Sequence, residues 1–220
     1  MNLIAHRCNN DGGFYENSLF ACKNCLLKDY IDGIEVDVRL SRDNVLVISH
    51  DNLVKTNKGK IFNINKTKYN SLKKYNIGDS NNIVRIISLE SFLNSINTSK
   101  KIIIEIKDDD FKVVDILYNV ISKYDLNFYV CSFHYDVVDL LKNKYPNVRV
   151  GLIIGYMFNL DKIHNKFDFN LLHYNLVNRI NKTKEVFIWT VDNEKIYNRI
   201  RKYGNDINII TNKAYMLNDL

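Results

Sequence analysis

The sequence predicts an α/β fold, a closed (β/α)8 or TIM barrel with a small insertion after the second strand. Eight short segments of β-branched and aliphatic residues recur along the 220 residues. Longer stretches with helical periodicity separate most of them, which is the pattern of a parallel sheet with crossover helices. Eight such strands favour closure into a barrel over an open sheet, and the length suits one domain spanning 1–220.

The predicted barrel strands are short apolar runs bounded by polar residues. They are Asn2–His6, Ile34–Val38, Ile102–Lys107, Tyr129–Phe133, Val148–Ile153, Asp168–His173, Val186–Val191 and Ile207–Thr211. An extra strand, Val45–Ser49, follows the second of these. The stretch from Asp51 to about Ser88 then breaks the alternation and is rich in Asn and Lys. We therefore interpret 51–88 as an insertion on the top face of the barrel.

The predicted helices carry apolar residues three and four positions apart. The clearest are Glu16–Lys28, Phe111–Tyr124, Tyr135–Lys144 and Glu194–Lys202, and two shorter candidates are Asp161–Asn165 and Tyr174–Ile180. The chain shows neither an internal repeat nor a domain linker.

Composition excludes several classes of protein. The apolar fraction of 46% and the charged fraction of 25% are ordinary for a soluble globular chain. No stretch approaches the roughly 20 apolar residues of a membrane-spanning helix. A predicted strand begins almost at the first residue and leaves no room for a signal peptide, so we expect a cytoplasmic protein without stable membrane insertion.

The positive charge raises the question of a nucleic-acid partner. The net charge is +6, but the cations are scattered and no recognition motif is present. We expect no nucleic-acid partner. The densest patch is predicted to be a solvated surface, with phosphate steering as the alternative. It comprises Lys66, Lys68, Lys73 and Lys74, beside Tyr69 and Tyr75.

The four cysteines form no metal-finger pattern. Cys22 and Cys25 have CxxC spacing, but no second pair accompanies them and both lie inside a predicted helix. We expect Cys22 and Cys25 to be buried or half-exposed helix thiols rather than a redox pair.

Alternation along two strands brings charged residues together. Glu35 and Asp37 are two apart and project to one side, and so do Glu105 and Lys107 on a later strand. His6 ends the first predicted strand. Since the carboxyl ends of barrel strands are where active sites are built, these groups should meet at one mouth, together with Arg7.

The charges of these groups favour a metal ion. Glu35, Asp37 and Glu105 outnumber Arg7 and Lys107 by one, and a bound phosphodiester would add another negative charge. One divalent cation would restore neutrality, and all-oxygen ligation favours Mg²⁺, Ca²⁺ or Mn²⁺ over zinc. Structural ion pairs in the lumen are the alternative, and the cost of burying so many charges argues against them.

Several segments carry a resemblance to a known family, in its order and approximate spacing. They are Ile4-Ala5-His6-Arg7, Glu16-Asn17-Ser18-Leu19-Phe20-Ala21, Ile34-Glu35-Val36-Asp37-Val38, Val45-Leu46-Val47-Ile48-Ser49-His50-Asp51, Ser88-Leu89-Glu90, Ile104-Glu105-Ile106-Lys107, Ser132-Phe133 and Trp189-Thr190-Val191-Asp192. With this ordered set the chain resembles the glycerophosphodiester phosphodiesterase family over nearly its whole length.

The resemblance implies a TIM-barrel enzyme that cleaves glycerophosphodiesters to glycerol 3-phosphate and an alcohol. It implies His6 and His50 as the acid–base pair. By similarity to related phosphodiesterases, we expect the glycerol 2-hydroxyl to attack phosphorus and form a cyclic phosphate, with His6 as the base and His50 as the acid. The resemblance also implies the remaining site residues. These are the metal ligands Glu35, Asp37 and Glu105, the phosphate-binding Arg7 and Lys107, and Trp189 near the glycerol.

Four positions depart from the family pattern without removing any proposed catalytic group. Cys8 stands where Gly is usual, Tyr15 and Ile87 where Pro is usual, and Asn212 where Asp is usual. These departures concern the shape of the loops and the choice of substrate more than activity.

The remaining polar residues have competing interpretations. His134, His164 and His173 are expected to be structural, although His173 ends a predicted strand and so lies close to the mouth. Ser132 is either a phosphate ligand or a strand-end cap, and Trp189 is either a substrate contact or barrel packing. Rival functions are a lysophospholipase D- or sphingomyelinase-like enzyme on this fold and a non-catalytic phosphodiester-binding barrel. The sequence leaves open the leaving alcohol, the ion, which histidine is the acid and which the base, and the oligomeric state.

Overall fold

A closed barrel of parallel strands forms the body of the protein. The computed structural model describes residues 1–9, 15–155, 166–180 and 183–220. The barrel strands are β1 (Asn2–Ala5), β2 (Gly33–Leu40), β6 (Lys101–Ile106), β7 (Phe128–Ser132), β8 (Val150–Ile154), β9 (Phe169–His173), β10 (Glu185–Trp189) and β11 (Ile207–Thr211). Each pairs in parallel with its neighbours, and β1 pairs with both β11 and β2, which closes the barrel. The predicted (β/α)8 architecture is confirmed.

The strands divide their side chains between two apolar regions, as the alternation of a strand requires. Ile34, Val36 and Val38 pack in the larger region between the strands and the helices. Large side chains, including Phe169 and Phe187, fill the lumen. The lumen is therefore a packed core, and the polar side chains lie above it at the carboxyl ends of the strands, here called the mouth.

Three of the four clearest predicted helices are shorter in the structure, Tyr135–Lys144 has the predicted bounds, and Ala214–Asn218 was not predicted. Helices surround the barrel between its strands. They are α1 (Leu19–Leu26), α3 (Leu89–Leu93), α4 (Lys112–Ile121), α5 (Tyr135–Lys144), α6 (Glu194–Arg201) and α7 (Ala214–Asn218). Helix α1 begins three residues later than predicted because the Ser18 hydroxyl accepts a hydrogen bond from the Ala21 N–H and caps it. Tyr174–Arg179 is a 3₁₀ helix. The predicted helix Asp161–Asn165 lies outside the described residues.

The insertion is a small folded body with its own core. Strand β3 (Leu46–Ile48) runs antiparallel to β2 and leads into a hairpin of β4 (Leu53–Lys55) and β5 (Ile61–Asn63). A 3₁₀ turn, Ile64–Lys66, and a short helix α2 (Tyr69–Leu72) follow. The core of this body joins side chains from the whole segment. They are Val47, Ile64, Leu72 and Ile86, with Val54, Phe62, Tyr69 and Ile77 packed against them.

The prediction that Cys22 and Cys25 are both unpaired helix thiols is wrong for Cys22. Cys8 and Cys22 form a disulfide across 14 residues, whereas Cys25 and Cys131 are free and buried. Helical spacing relates Cys22 only to Cys25, and it does not reveal that the turn after β1 carries Cys8 against α1. Disulfides are rare in reducing compartments, so this bond does not favour the cytoplasmic location, which stays a prediction.

Among the described residues, no helix has the length and apolar character needed to cross a lipid bilayer.

Candidate active site at the barrel mouth

A cavity of about 230 Å³ opens at the mouth. Its wall contains seven of the eight residues singled out from the sequence, drawn from several different segments of the chain. They are His6, Arg7, Glu35, His50, Glu105, Lys107 and Trp189. The eighth, Asp37, lies fully buried against this wall, where its carboxylate contacts Arg7 and Lys107.

Three buried carboxylates lie together at one side of the cavity, here called the charged wall. Glu35 and Asp37 project from β2, and Glu105 comes from β6, whose register sets Asp37 beside Glu105. One oxygen from each residue lies within 4.8 Å of the others. Glu35 Oε1 and Asp37 Oδ1 are buried and have no hydrogen-bond partner. A cluster of hard oxygen donors, one of which (Glu35 Oε1) has neither a hydrogen bond nor an ion pair among the described residues, fits a divalent cation of the Mg²⁺ or Ca²⁺ type.

Burial, together with repulsion from neighbouring carboxylates, makes the two glutamates of this cluster hard to ionise. Burial raises the pKa of Glu35 well above its usual value, and the neighbouring Asp37 and Glu105 raise it further. Burial, followed by the charge of Asp37, raises the pKa of Glu105 to about 7. A cation bound among them would favour the charged forms and reverse these shifts.

Two cations face the carboxylates. Lys107 Nζ lies 2.6 Å from Glu105 Oε1 and 3.4 Å from Asp37 Oδ1. Arg7 Nε lies 3.4 Å from Asp37 Oδ2, and the Arg7 guanidinium also pairs with Glu16 at 2.9 Å. The backbone N–H of Arg7 donates to Glu35 Oε2 at 2.8 Å. Opposite charges thus hold both cations at the edge of the cavity, where an anionic phosphate can reach them.

A chain of hydrogen bonds fixes the tautomer of His6. The Asn212 amide donates through Nδ2 to Asp192 Oδ2 at 2.8 Å, so its oxygen faces His6 Nδ1 at 3.0 Å. Because that oxygen only accepts, Nδ1 carries the proton in the neutral ring and Nε2 is left free to accept one. Burial lowers the pKa of His6, and the nearby Arg7 lowers it further, which favours this neutral form.

His50 stands across the cavity in a more open setting. Its Nδ1 lies 2.8 Å from Asp51 Oδ1. Its carbonyl oxygen accepts a hydrogen bond of 2.8 Å from Arg39 Nε, and Arg39 in turn pairs with Asp108 at 3.0 Å. His50 therefore has an anionic neighbour at hydrogen-bond distance.

Aromatic side chains line another part of the cavity, here called the aromatic wall. The rings of Phe133 and Trp189 meet edge to face at 5.4 Å, and His173 lies 5.3 Å from Trp189. Trp189 Nε1 is buried and has no hydrogen-bond partner. This wall offers a substrate apolar contact and one indole donor, in contrast to the charged wall.

The other candidates from the sequence have structural partners. Ser132 is buried, and its hydroxyl donates to Ile106 O and accepts from the His134 N–H, as a strand-end cap does. His173 Nδ1 accepts from the Asn175 N–H at 3.3 Å. His134 Nε2 lies 3.3 Å from Lys107 O. His164 lies outside the described residues.

Sequence reasoning missed two side chains that organise the site. Asn17 bonds Asp37 twice, at 2.8 Å from its amide nitrogen and at 3.2 Å through its amide oxygen. Asn212 stood out only as a departure from the family pattern, although its amide joins His6 to Asp192. The available signal was its place directly after Thr211, at the end of a predicted strand, where a polar residue reaches the mouth.

Comparison with known families decides the broad assignment. The model of the glycerophosphoryl diester phosphodiesterase family matches residues 6–157. The chain belongs to this family. It is a glycerophosphodiester phosphodiesterase, and the family's reaction is hydrolysis of glycerophosphodiesters.

Relatives of this phosphodiesterase cover almost the whole chain. YhdW of Bacillus subtilis (strain 168), a protein named for glycerophosphodiester phosphodiesterase activity, is 27% identical over 94% of this chain and 92% of its own. An Oleispira antarctica phosphodiesterase, solved with its product sn-glycerol-3-phosphate, superposes with a TM-score of 0.86 at 20% identity over 100% of this chain and 96% of its own. A Thermotoga maritima glycerophosphodiester phosphodiesterase superposes with a TM-score of 0.78 at 22% identity, over 97% of this chain and 95% of its own. The two structures share the fold.

Proposed function

We propose that this phosphodiesterase uses a divalent cation and two histidines to convert glycerophosphodiesters to glycerol 3-phosphate and an alcohol. The convergence of three carboxylates, two cations and two histidines on one cavity carries the proposal. Such a set serves phosphoryl chemistry because it combines charge neutralisation with a proton acceptor and a proton donor.

Glu35, Asp37 and Glu105 would hold the cation, which we expect to be Mg²⁺ or Ca²⁺, with Mn²⁺ as a further option. When bound, the ion supplies Lewis acidity toward a phosphoryl oxygen and offsets negative charge. The unpartnered Oε1 of Glu35 supports this assignment, because buried polar atoms normally have a partner.

Arg7 and Lys107 would bind the phosphate oxygens from the charged wall. Both already face carboxylates, so their positions are fixed before substrate arrives and little reorganisation is needed. Trp189 would contact the glycerol from the aromatic wall, with its unpartnered Nε1 as donor to a hydroxyl.

His6 would act as the general base. Its Nε2 is the free acceptor of a tautomer fixed by Asn212, and burial lowers its pKa. It would take the proton of the glycerol 2-hydroxyl as that oxygen attacks phosphorus. His50, which lies beside Asp51, would donate a proton to the leaving alcohol oxygen. Water would then open the cyclic phosphate with the two roles reversed.

Phosphorus-31 NMR of a reaction with glycerophosphocholine tests the proposal. We expect glycerol 3-phosphate in the presence of Mg²⁺ or Ca²⁺, a transient cyclic phosphate signal, and no turnover after chelation and removal of the ion. Turnover that survives complete chelation would rule out the metal. Absence of any product with all three ions would overturn the proposal and leave the non-catalytic binding barrel or a lysophospholipase D-like enzyme.

A lysophospholipase D-like activity is the second candidate. Phe133 is about half exposed beside Trp189, so the aromatic wall extends out of the cavity toward solvent. Such a wall suits an acyl chain as well as a glycerol. Faster cleavage of lysophosphatidylcholine than of glycerophosphocholine at equal concentration would favour this alternative.

A further inference from the structure

The insertion carries the whole net charge of the protein. Residues 51–88 contain eight Lys or Arg and two Asp, a net +6 that equals the +6 of the full chain. The remainder is balanced, with 23 cations and 23 anions. A neutral barrel therefore presents one strongly basic segment.

That charge is not neutralised within the part of the chain that the structure describes. All eight cations are exposed, and none takes part in a salt bridge. They are Lys55, Lys58, Lys60, Lys66, Lys68, Lys73, Lys74 and Arg85. The two acids are engaged elsewhere: Asp51 pairs with His50, and Asp79 accepts from the Tyr15 hydroxyl at 2.6 Å.

The hairpin adds an apolar element to this basic surface. Alternation turns Val54 and Phe62 into the core of the insertion, and it turns Leu53, Lys55 and Ile61 outward. Leu53 and Ile61 are each 62% exposed. Since the insertion has a filled core of its own, this outward aliphatic pair is not left over from incomplete packing. The outer face of β4 and β5 is here called the hairpin face.

The hairpin face belongs to the same end of the molecule as the active site. Strand β4 begins at Leu53, three residues after His50, which lines the cavity. The hydrogen bond from Tyr15 to Asp79 joins the insertion to the loop that follows β1. A partner that covers the hairpin face would therefore lie next to the mouth.

We propose that the hairpin face docks this phosphodiesterase on a membrane surface that contains anionic lipids. Lysines flanking the hairpin meet the negative headgroups, and each cation near an anionic leaflet strengthens binding about fivefold. Leu53 and Ile61 enter the boundary between headgroups and acyl chains, as the apolar side of an interfacial segment does. The lysine stems extend along the apolar surface while their ammonium groups stay in water.

The exposed aliphatic pair favours a lipid surface over a nucleic acid. Proteins that hold single strands stack the bases on exposed aromatic rings. In the insertion the aromatic rings pack within the protein instead: Phe62 packs against Tyr75 at 4.2 Å, and Tyr69 lies against the core. Leu53 and Ile61 cannot hydrogen-bond or pair with a phosphate backbone. Their transfer from water to lipid, in contrast, lowers the free energy.

Vesicle co-sedimentation tests the proposal. Wild type is compared on phosphatidylcholine vesicles and on vesicles with about 30 mol% phosphatidylglycerol. We expect binding to the anionic vesicles alone. Lys55→Gln/Lys58→Gln should weaken it about ten- to thirtyfold. Leu53→Asn/Ile61→Asn should weaken it while leaving the affinity for a single-stranded oligonucleotide unchanged. Lys195→Gln/Lys202→Gln removes the same charge from exposed positions on and just after α6 and should change little.

Three results would overturn the proposal. They are equal binding to both kinds of vesicle, full binding by Leu53→Asn/Ile61→Asn, and equal losses in the α6 control. The substituted residues do not line the cavity, so every variant should hydrolyse soluble glycerophosphocholine at the wild-type rate in the absence of vesicles. Failure of docking is thereby distinguished from failure of the proposed hydrolysis.

Discussion

Asn212 joins His6 to Asp192 through hydrogen bonds of 3.0 and 2.8 Å. Asp192 Oδ1 also accepts from the Asn212 backbone N–H at 2.7 Å and from the Thr211 hydroxyl at 3.1 Å. A flip of the Asn212 side-chain amide would therefore break its hydrogen bonds to His6 and Asp192. At this position an amide orients the imidazole as an aspartate would, but the negative charge is held farther away, on the Asp192 carboxylate.

Exchanging the amide and the carboxylate tests this arrangement. Asn212→Asp alone would set two carboxylates against each other, and Asp192→Asn alone would remove the charge, so each should lower kcat about tenfold or more. In the double variant, the carboxylate now at position 212 would accept from His6, and the amide now at position 192 would donate to that carboxylate. We expect kcat to recover to within a few-fold of wild type. A double variant with additive losses would contradict the role of the chain in orienting His6.

His50→Ala tests the proposed general acid. Loss of that proton donor should lower turnover of glycerophosphocholine by about two to four orders of magnitude. With a p-nitrophenyl ester the leaving group needs little protonation, so the loss should be much smaller. Equal losses on both substrates, in a variant with an unchanged circular dichroism spectrum, would remove His50 from the acid role.

At the level of secondary-structure elements, strand alternation was the most informative part of the sequence. Glu-x-Asp in β2 and Glu-x-Lys in β6 predicted which side chains share a face, and the register brings Asp37 beside Glu105. Strand alternation could not predict contacts between a turn and a neighbouring helix or strand. Cys8 meets Cys22 and Asn17 meets Asp37 through turns whose path depends on tertiary packing. The insertion was visible as a break in the pattern, but its internal structure was not.

The disulfide links the turn that carries His6 and Arg7 to α1. Cys8 has a φ of 57°, in the left-handed region that favours glycine. Closing a loop of 14 residues stabilises a protein by about 3 kcal/mol. A reducing dithiol should therefore lower the Tm of wild type. It should leave the Tm of Cys8→Gly/Cys22→Ala unchanged, and a reductant effect of equal size in that variant would place the effect elsewhere.

At the level of the whole molecule, the carboxylate cluster links stability to pH. The pKa of Glu105 is raised from its usual 4.5 to about 7, and that of Glu35 is raised as well. The metal-free native state thus holds protons that the unfolded chain releases above about pH 4.5, so stability falls as the pH rises through 7. A bound cation stabilises the ionised carboxyls and removes this loss.

Thermal unfolding of the metal-free protein should accordingly give a higher Tm near pH 5.5 than near pH 8. Added Mg²⁺ or Ca²⁺ should raise the Tm mainly at the higher pH, because protons compete for the same oxygens. Glu105→Gln serves as the matched control and should show a smaller dependence on pH and weaker metal binding. A metal effect of the same size at both pH values would contradict the linkage.

Crystals grown or soaked with Mn²⁺ test the central claim most directly, through the anomalous scattering of the ion. The account predicts one strong peak at the mouth, within about 2.5 Å of oxygens from Glu35, Asp37 and Glu105, and its loss in Glu105→Ala. A peak elsewhere, or none at saturating Mn²⁺, would contradict it.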